Sequence, residues 1–431
     1  MKKRLGTIRT VTIRAATAGA VAWGVLVGGA VAGTARAAAA DLAAPAPSPV
    51  TRGTHLSRTT PVRLAPGVTY SAFRLALPRG TARGHLLTVD LSHPEVSVDL
   101  LHPAAVAARA PVSELAGDQE AVAAVNGDFF NISEAQHPGV AVTGSSVGPE
   151  VSSGRALKGA VPDGQRFGPP LPPGASTEDV LGIGYDRRAR LDRLALRGTV
   201  RSAAGDWPLR GLNQYALPQG GIGAYTARWG GVSRERAVCG TDTDRGAGCD
   251  TATAEVTVRH GRVVKTARRP GAGTIAPGSV VLVGREGGAR RLRALHLGER
   301  VRISHRLVGH RPGRLRCAVG GFPVLRDGRP TAGLDITAVT MRTSAGIAHH
   351  GRTLLLMALD GEKGQHQTGL TVRELAGLMA RLGARDATDL DGGGSSTFVT
   401  EDRYGEVQVR NHPTDGKERP VANALGVFSL R

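Results

Sequence analysis

Residues 384–399 have the sequence ARDATDLDGGGSSTFV, and the rest of the chain can be interpreted around this stretch. An apolar helical pattern ends just before it, and a short β-like run, Thr397 to Val399, completes it. Between them the carboxylate Asp391 precedes three glycines, which lose more backbone freedom on folding than any other residue. Such glycines are expected where the backbone adopts positive φ or approaches another group closely. A tight turn between two strands is the simpler alternative, but the adjacent carboxylate favours a functional site.

The glycine turn is predicted to bind an anion. It comprises Gly392, Gly393 and Gly394 and is followed by Ser395 and Ser396. Successive backbone N–H groups in such a turn can point at one anion, as in a phosphate-binding nest. Gly-Gly-Gly-Ser-Ser is also typical of a linker, but a linker would not be flanked by apolar segments.

Two further apolar runs end in polar residues. The run ending at Val125 leads into Asn126-Gly127-Asp128, and the run from Thr353 to Leu359 leads into Asp360. Asn-Gly is also typical of a hairpin turn. The two phenylalanines after Asp128 would bury the flank of this turn, which favours a site over a simple hairpin.

Carboxylates that converge in one pocket are what general acid–base hydrolysis requires, and a pair of them commonly cleaves glycosidic bonds. Asp391 and Asp360 are the acid–base candidates, and Asn126 and Asp128 are predicted to position sugar or water. Arg342 opens another strand, and a guanidinium binds phosphate bidentately, so Arg342 and the glycine turn are the predicted phosphate-binding groups. Each of these residues could instead cap a turn or form an ion pair. A divalent cation could bind among the Asp residues, but no ligand-spaced motif indicates one, so no cofactor is predicted.

The first 37 residues have the pattern of a secretory signal peptide. A basic n-region precedes an apolar stretch over 15–33, and Ala35-Arg36-Ala37 provides a small-x-small cleavage site. Cleavage is expected after Ala37, with Ala40 as the alternative, and a retained membrane anchor is the competing interpretation. Residues 38–60, rich in Ala, Pro, Ser and Thr, are predicted to be a disordered linker. The mature protein is therefore expected to be secreted or associated with the cell wall, without a membrane segment.

The chain of 431 residues carries a formal net charge of +19. Such a charge favours anionic partners, here a phosphorylated glycan or an anionic cell-wall polymer. Nucleic acid is disfavoured because the basic residues are dispersed, no nucleic-acid motif is present, and aromatic residues make up only 3%. Composition leaves the oligomeric state open.

Three cysteines follow the predicted signal. Cys239 and Cys249 enclose a polar loop that a disulfide could close in an oxidising compartment. Cys317 lies in an apolar run and is expected to be a buried free thiol. Their spacing fits no zinc motif.

The alternation of apolar residues predicts an α+β fold, with a mixed β-sheet core, a few packed helices and an inserted, mostly β subdomain. The predicted catalytic domain comprises residues 61–155 and 310–431, and the insert spans 156–309. The clearest helix follows Thr371, which can cap it together with Glu374 at the N3 position, and ends at Gly383.

The motifs at Asn126-Gly127-Asp128, Arg342-Thr343, Asp360-Gly361, Asp391–Thr397 and Val421–Gly426 resemble those of the phosphodiester glycosidase family. The resemblance covers roughly 85–180 and 315–431. It implies hydrolysis of a sugar-1-phosphodiester at the anomeric C–O bond, which leaves a phosphomonoester. Two positions depart from the family pattern, which often has Gly in place of Asp128 and Arg in place of Glu362.

Two other functions are compatible with the same residues. A non-catalytic wall-binding protein would hold anionic glycans on its basic surface, and Asp391→Asn would leave its activity intact. A hydrolase or lyase of ordinary glycan linkages would not need Arg342 or the glycine turn.

Overall fold

The computed structural model describes residues 54–361 and 368–430. The predicted signal peptide, most of the predicted linker and Glu362 lie outside these residues. The described chain contains 26 strands and three α-helices. Its four sheets have nine, seven, five and five strands. The predicted α+β class is confirmed.

The strands are numbered in chain order. The first eight are β1 (His55–Arg58), β2 (Val62–Ala65), β3 (Val68–Leu77), β4 (Gly80–Asp90), β5 (Val96–Leu101), β6 (Ala123–Asn126), β7 (Glu150–Ser152) and β8 (Arg155–Lys158). The next nine are β9 (Asp179–Gly184), β10 (Ala189–Ser202), β11 (Gly205–Pro208), β12 (Gly211–Leu212), β13 (Ile222–Tyr225), β14 (Thr253–Arg259), β15 (Arg262–Ala267), β16 (Ser279–Arg285) and β17 (Arg302–Gly309). The last nine are β18 (Leu315–Gly320), β19 (Phe322–Arg326), β20 (Arg329–Pro330), β21 (Thr343–Ala348), β22 (Thr353–Leu359), β23 (Asp386–Leu390), β24 (Phe398–Glu401), β25 (Val407–Val409) and β26 (Ala424–Ser429).

The α-helices are α1 (Val112–Asp118), α2 (Gly287–Leu292) and α3 (Val372–Arg381). Short 3-10 helices occupy Asp163–Gln165, Ala227–Trp229, Glu235–Val238, His349–Gly351 and Gly393–Ser395. The capping box predicted for α3 is present: Thr371 Oγ1 accepts the Glu374 N–H, and the Glu374 carboxylate accepts the Thr371 N–H.

The nine-stranded sheet has the order β1-β3-β4-β22-β21-β23-β19-β20, with β2 also paired to β3. A five-stranded sheet, β25-β24-β6-β26-β5, shares its core. Every pairing in both sheets is antiparallel. In β22 six of the seven residues are buried, because neighbouring elements cover both of its faces.

The predicted insert contributes to the other two sheets. The seven-stranded sheet, β11-β10-β9-β18-β7-β8 with β17 on β10, joins strands of the insert to β7 and β18 of the predicted catalytic domain. The five-stranded sheet β12-β13-β16-β14-β15 lies within the insert and has a separate core with α2, formed by residues such as Val256, Leu282 and Leu292. The division into two domains remains a prediction.

Residues 55–58 correct the prediction of a disordered segment over 38–60. They form β1, which pairs with β3 along the edge of the nine-stranded sheet. An edge strand is stabilised by backbone hydrogen bonds to one neighbour, so it requires little apolar sequence of its own. Leu56 is its only partly buried hydrophobic residue and packs against the core.

The structure contains the Cys239–Cys249 disulfide. The Cys317 thiol is free and fully buried, and burial raises its pKa. None of the described helices is long and apolar enough to cross a membrane.

Candidate active site

Asn126 connects four segments at the end of β6. Its Nδ2 donates to the Asp391 carbonyl at 2.6 Å, and its Oδ1 accepts from Thr343 Oγ1 at 2.8 Å and from the Thr397 N–H at 3.0 Å. The side chain is completely buried. Asn126 therefore holds the ends of β6, β21 and β23 together.

Asp128 follows two residues later and is 2% exposed. Its Oδ2 accepts the Gly148 N–H at 2.6 Å, and its own N–H donates to Asn423 Oδ1 at 2.9 Å. A Cβ on Gly320 would lie 2.3 Å from Asp128 Oδ2, so only glycine fits opposite this carboxylate. Burial raises the pKa of Asp128 to about 6, and the nearby Lys158 and Arg166 limit the rise.

A buried polar network lies behind Asp128. Glu150 Oε1 accepts from Ser146 Oγ at 2.6 Å and from Asn423 Nδ2 at 2.7 Å. Lys158 Nζ donates to three backbone carbonyls, including that of Gly159 at 2.8 Å. Burial lowers the pKa of Lys158 to about 8, against the opposing effect of Glu150 and Asp128. This network fixes the position of Asp128 and contributes one cation to its surroundings.

Asp389 lies within β23, two residues before Asp391, and is completely buried. Neither carboxylate oxygen has a hydrogen-bond partner within the described chain, and Arg342 Nη1 lies 3.6 Å from Oδ2. Burial raises the pKa of Asp389 to about 7; Arg342 and Arg166 oppose this rise, and Asp391 adds to it. Asp389 is therefore a carboxyl group that can carry a proton near neutral pH.

Asp391 is the member of this group that is partly exposed. Its N–H donates to the Gly127 carbonyl at 2.9 Å, and its Oδ1 accepts the Gly392 N–H at 3.0 Å. Burial raises the pKa of Asp391 to about 6, Asp128 contributes to the rise, and Ser395 and Arg419 oppose it.

Arg166 lies among the three carboxylates. Its charge interacts with those of Asp128, Asp389 and Asp391. Its guanidinium stacks on the Phe129 ring, with the guanidinium carbon 4.2 Å from the ring centroid. Nη1 donates to a backbone carbonyl, whereas the buried Nη2 has no hydrogen-bond partner in the described chain. Arg166 therefore acts on the carboxylates through its charge.

Arg342, the predicted phosphate ligand, is 3% exposed. Its Nε donates to the Leu370 carbonyl at 2.9 Å and its Nη2 to the Ala338 carbonyl at 2.8 Å, while Nη1 faces Asp389. The guanidinium is thus engaged by the protein on all three nitrogens.

The glycine turn forms a 3-10 helix over Gly393–Ser395, with φ of +59° at Gly393. Four of its N–H groups donate within the protein: that of Gly392 to Asp391 Oδ1, that of Gly393 to the Met341 carbonyl, and those of Ser395 and Ser396 to carbonyls of the turn itself. The turn thus supports Asp391 directly.

Arg419 lies beside this turn and is partly exposed. Its Nη1 donates to Ser395 Oγ at 3.4 Å, and its Nη2 pairs with Asp415 Oδ2 at 2.6 Å. A Cβ on Gly394 would lie 2.0 Å from Arg419 Nη2, so the glycine allows the guanidinium to approach. The charge of this accessible arginine opposes the rise in the pKa of Asp391.

Asp360 belongs to a different cluster. Its Oδ1 accepts the His412 N–H at 2.9 Å and lies 3.0 Å from His412 Nδ1. His85 and Tyr70 lie within its electrostatic range and are joined by a 2.8 Å hydrogen bond between the Tyr70 hydroxyl and His85 Nδ1. Burial lowers the pKa of His85 to about 4, so its imidazole is neutral at pH 7.

The structure therefore brings Asn126, Asp128 and Asp391 together and places Asp360 with His412. Three residues of the site were not predicted: Asp389, Arg166 and Arg419. A signal for Asp389 was present, because residues two apart in an extended chain point to the same side, which places Asp389 beside the predicted Asp391. Arg166 and Arg419 lie outside regular elements, and the local sequence does not distinguish them from the many other arginines.

The site has the chemistry of a carboxylate cluster. The three carboxyl groups interact through Asp391 and Arg166, and Arg342 acts in addition on Asp389. Their protons therefore come off in steps that belong to the group as a whole. Within the described residues, no set of three or more His, Cys, Asp or Glu side chains is arranged to hold a metal ion.

Comparison with known proteins finds one family that matches part of the chain. The family model of phosphodiester glycosidases matches residues 252–428. The resemblance is confirmed over this segment. Asp389, Asp391, Arg342 and Arg419 lie within the segment that matches the phosphodiester glycosidases, whereas Arg166 precedes it. Among curated proteins, none matches the chain.

Solved structures share the fold. A hypothetical protein from Synechocystis superposes with a TM-score of 0.63 at 20% identity, over 84% of this chain and 62% of its own, so the chain spans less than two thirds of that protein. A protein of Burkholderia pseudomallei K96243, described as exported, gives a TM-score of 0.66 at 21% identity, over 88% of this chain and 97% of its own. Both similarities concern the fold alone.

A third structure has weaker similarity. The zebrafish N-acetylglucosamine-1-phosphodiester alpha-N-acetylglucosaminidase catalytic domain, auto-inhibited by pro-peptide, gives a TM-score of 0.40 at 14% identity, with 88% of each chain covered. This similarity is too low to support a structural argument.

Proposed function

We propose that this protein hydrolyses a sugar-1-phosphodiester at the anomeric C–O bond and releases a free sugar and a phosphomonoester. The observation that carries the proposal is the carboxylate cluster: partly exposed Asp391 is backed by buried Asp128 and Asp389 and flanked by Arg419. The family match over residues 252–428 supports the choice of bond.

The reaction requires one proton acceptor at the attacking water. Water oxygen bonds to the anomeric carbon, the bond from that carbon to the phosphate oxygen breaks, and the electron pair leaves with the phosphate. Asp391 accepts the proton that the water loses. Because a phosphomonoester is a stable anion, its departure needs less help from an acid than the departure of a sugar alkoxide.

The raised pKa of Asp391 suits this role. A general base works best when its pKa lies close to the working pH, because it is then both ionised and sufficiently basic. At a pKa of about 6, Asp391 is mostly ionised at pH 7 and far more basic than an ordinary aspartate. In this proposal Asp128 and Asp389 are positioning residues that set the charge on Asp391.

Arg419 is the proposed phosphate ligand at the surface of the site. It is 30% exposed, whereas the other two guanidinium groups of the site are almost completely buried. Arg342 and the glycine turn, predicted from the sequence to hold phosphate, contribute by fixing Asp389 and Asp391 and by leaving space for Arg419. Asn126 holds the backbone of Asp391 and so orients its side chain.

The location and substrate follow from charge and the N-terminal pattern. We propose that the protein is exported and acts on a phosphorylated glycan or an anionic wall polymer. The formal net charge of +19 falls to +13 when the predicted signal, with its six basic and no acidic residues, is removed. A surface of this charge concentrates polyanions and speeds their encounter with the site.

The test compares wild type, Asp391→Asn and Arg419→Gln on a panel of sugar-1-phosphodiesters and p-nitrophenyl glycosides. Asp327→Asn is the matched control, because this aspartate is 75% exposed and pairs with exposed Arg385, at the opposite end of β23 from Asp391. Free sugar and phosphomonoester are quantified together. We expect wild type and the control to release the two products in equal amounts. Asp391→Asn should release them about 10³-fold more slowly, and Arg419→Gln should have a raised KM for phosphodiesters.

Hydrolysis of the plain glycosides in preference to the phosphodiesters would replace the proposal with an ordinary glycosidase. Phosphodiester hydrolysis that survives Asp391→Asn would assign the chemistry to another site.

A further inference from the structure

Arg166, whose charge acts on the three carboxylates of the cluster, is held by a loop of the predicted insert. Arg166 directly follows the 3-10 helix Asp163–Gln165. The loop that contacts this segment is residues 239–249, which the Cys239–Cys249 disulfide closes and which is here called the disulfide loop.

Backbone contacts join the disulfide loop to the Arg166 segment. The Gly164 N–H donates to the Asp242 carbonyl at 3.0 Å. Arg245 Nη1 donates to the Arg166 carbonyl at 2.6 Å. The Arg245 guanidinium also stacks on Phe167, with its carbon 4.0 Å from the ring centroid. Arg245 thus holds the residues on both sides of the Arg166–Phe167 peptide bond.

Gln165 provides the second attachment. Its Nε2 donates to the carbonyls of Thr241 and Asp244, the latter at 3.3 Å. Its Oε1 accepts from Arg236 Nη2 at 2.9 Å, and Arg236 Nη1 donates to the Cys239 carbonyl at 3.1 Å. Gln165 is completely buried, so all of its polar atoms depend on these partners.

The side chain of Arg166 makes few directional contacts of its own. It stacks on Phe129 and Phe322, donates through Nη1 to the Pro169 carbonyl, and leaves Nη2 unpartnered among the described residues. Its position among the carboxylates therefore depends on how firmly its backbone is held.

We propose that the disulfide loop is a positioning element of the active site: through Arg245 and Gln165 it fixes Arg166 among Asp128, Asp389 and Asp391. This inference rests on the proposed function. It gives the predicted insert a role in the reaction, since the insert supplies both Arg166 and the loop that holds it.

The charges that face the cluster determine what a displaced Arg166 would do. Asp128 faces Lys158, Glu150 and Arg166, while Asp389 faces Arg342, Arg166 and Asp391. Two further titratable groups act on the site. Arg419 opposes the raised pKa of Asp391, and the buried, neutral Tyr215 hydroxyl lies within electrostatic range of Asp128 and Arg166. Because Arg166 lowers the pKa of both Asp128 and Asp389, its displacement raises both values.

The test uses Arg245→Gln in the full chain. Arg293→Gln is the matched control, because Arg293 also lies in the insert and its Nη2 donates to a backbone carbonyl, that of Thr253, at 2.9 Å. We expect kcat/KM of Arg245→Gln at pH 6 to fall about tenfold, as a small misplacement of an active-site group does. In Arg245→Gln, the acidic limb of the profile of kcat/KM against pH should move to higher pH. Arg245→Lys should recover part of the lost kcat/KM. The control should keep the wild-type profile.

A second measurement does not depend on turnover. Between pH 5 and pH 8 the buried carboxylates ionise. Ionising each of them costs more free energy when Arg166 is displaced. The unfolding free energy of Arg245→Gln should therefore fall more over this interval than that of wild type. An unshifted acidic limb together with a parallel pH dependence of stability would overturn the proposal. If wild type hydrolyses no phosphodiester, the proposed function fails, and the stability comparison alone decides the inference.

Discussion

The ends of β22 and β23 have the same local sequence and different surroundings. Both strands are buried and lead directly into an Asp-Gly pair, β22 at Asp360 and β23 at Asp391. In the sheet, β21 lies between them. Asp360 accepts hydrogen bonds from His412, whose side chain is 66% exposed. Asp391 lies instead beside two buried carboxylates, and burial together with Asp128 raises its pKa.

The difference shows that an Asp at a strand end acquires its chemistry from what packs against it. The surroundings of Asp391 are formed by β6, β23, the glycine turn and the Arg166 segment, which come together only in the folded chain. Asp360 is held by a segment that also contacts the glycine turn, through Thr414 Oγ1 and the Gly393 carbonyl at 3.3 Å. We therefore propose that Asp391 takes part in the reaction and that Asp360 supports the glycine turn beside it.

The largest expected effect is that of Asp391→Asn. The amide keeps an acceptor for the Gly392 N–H but cannot accept a proton from water, so kcat should fall about 10³-fold, within the range of general base catalysis. Kinetics on the best phosphodiester would measure this, with circular dichroism to show that the fold is retained. A loss of less than tenfold would remove the proposed distinction between the two strand ends.

The second prediction concerns pH and Asp389. The folded-state pKa of Asp389, raised to about 7, exceeds the usual value of 3.8, so the folded protein binds more protons than the unfolded chain between these values. Its stabilising contribution is therefore present below about pH 4 and is lost as pH rises through 7. Asp389→Asn should reduce the loss of unfolding free energy between pH 5 and pH 8 by about 2 kcal/mol.

Urea unfolding at several pH values measures how the unfolding free energy changes with pH. Asp327→Asn serves as the control, because an aspartate that is 75% exposed stays solvated in the folded state. Parallel curves for wild type and Asp389→Asn would show that burial does not govern the ionisation of Asp389.

Asp360→Asn should have an intermediate effect. The amide oxygen can still accept the His412 N–H, and the loss of charge disturbs the adjoining segment, so kcat/KM should fall about tenfold, as expected for a small displacement near the site. Comparison with Asp391→Asn under identical conditions is the measurement. Equal losses in the two variants would make both strand ends catalytic, as the sequence alone suggests.

The smallest expected effect is that of reducing the Cys239–Cys249 disulfide. Arg285 donates to the Gly240 carbonyl at 2.7 Å and pairs with Asp250, so both ends of the disulfide loop stay anchored without the covalent bond. Reduction should lower kcat/KM about threefold through a slight relaxation of Arg166, and reoxidation should restore it. The buried Cys317 thiol should not react, and a Cys317→Ala variant that abolished the effect would assign it to that residue instead.

Much of the fold could be predicted from the sequence because the relevant signals are local. The apolar runs at β6 and β22, the capping box of α3 and the Asp-Gly strand ends are each encoded within a few residues. The prediction of a disordered segment was wrong at β1, because this polar edge strand is stabilised by the backbone of β3 rather than by its own side chains.

The sequence by itself determined the α+β class, the candidate carboxylates Asp128 and Asp391, and the resemblance to phosphodiester glycosidases. Only the tertiary structure decided that Asp389 completes the cluster, that Asp360 stands apart with His412, and that Arg166 lies among three carboxylates. The physical reason is that burial and charge depend on segments distant in sequence. A pKa raised by desolvation, and a guanidinium that limits the rise, are properties of the assembled site and of no single motif.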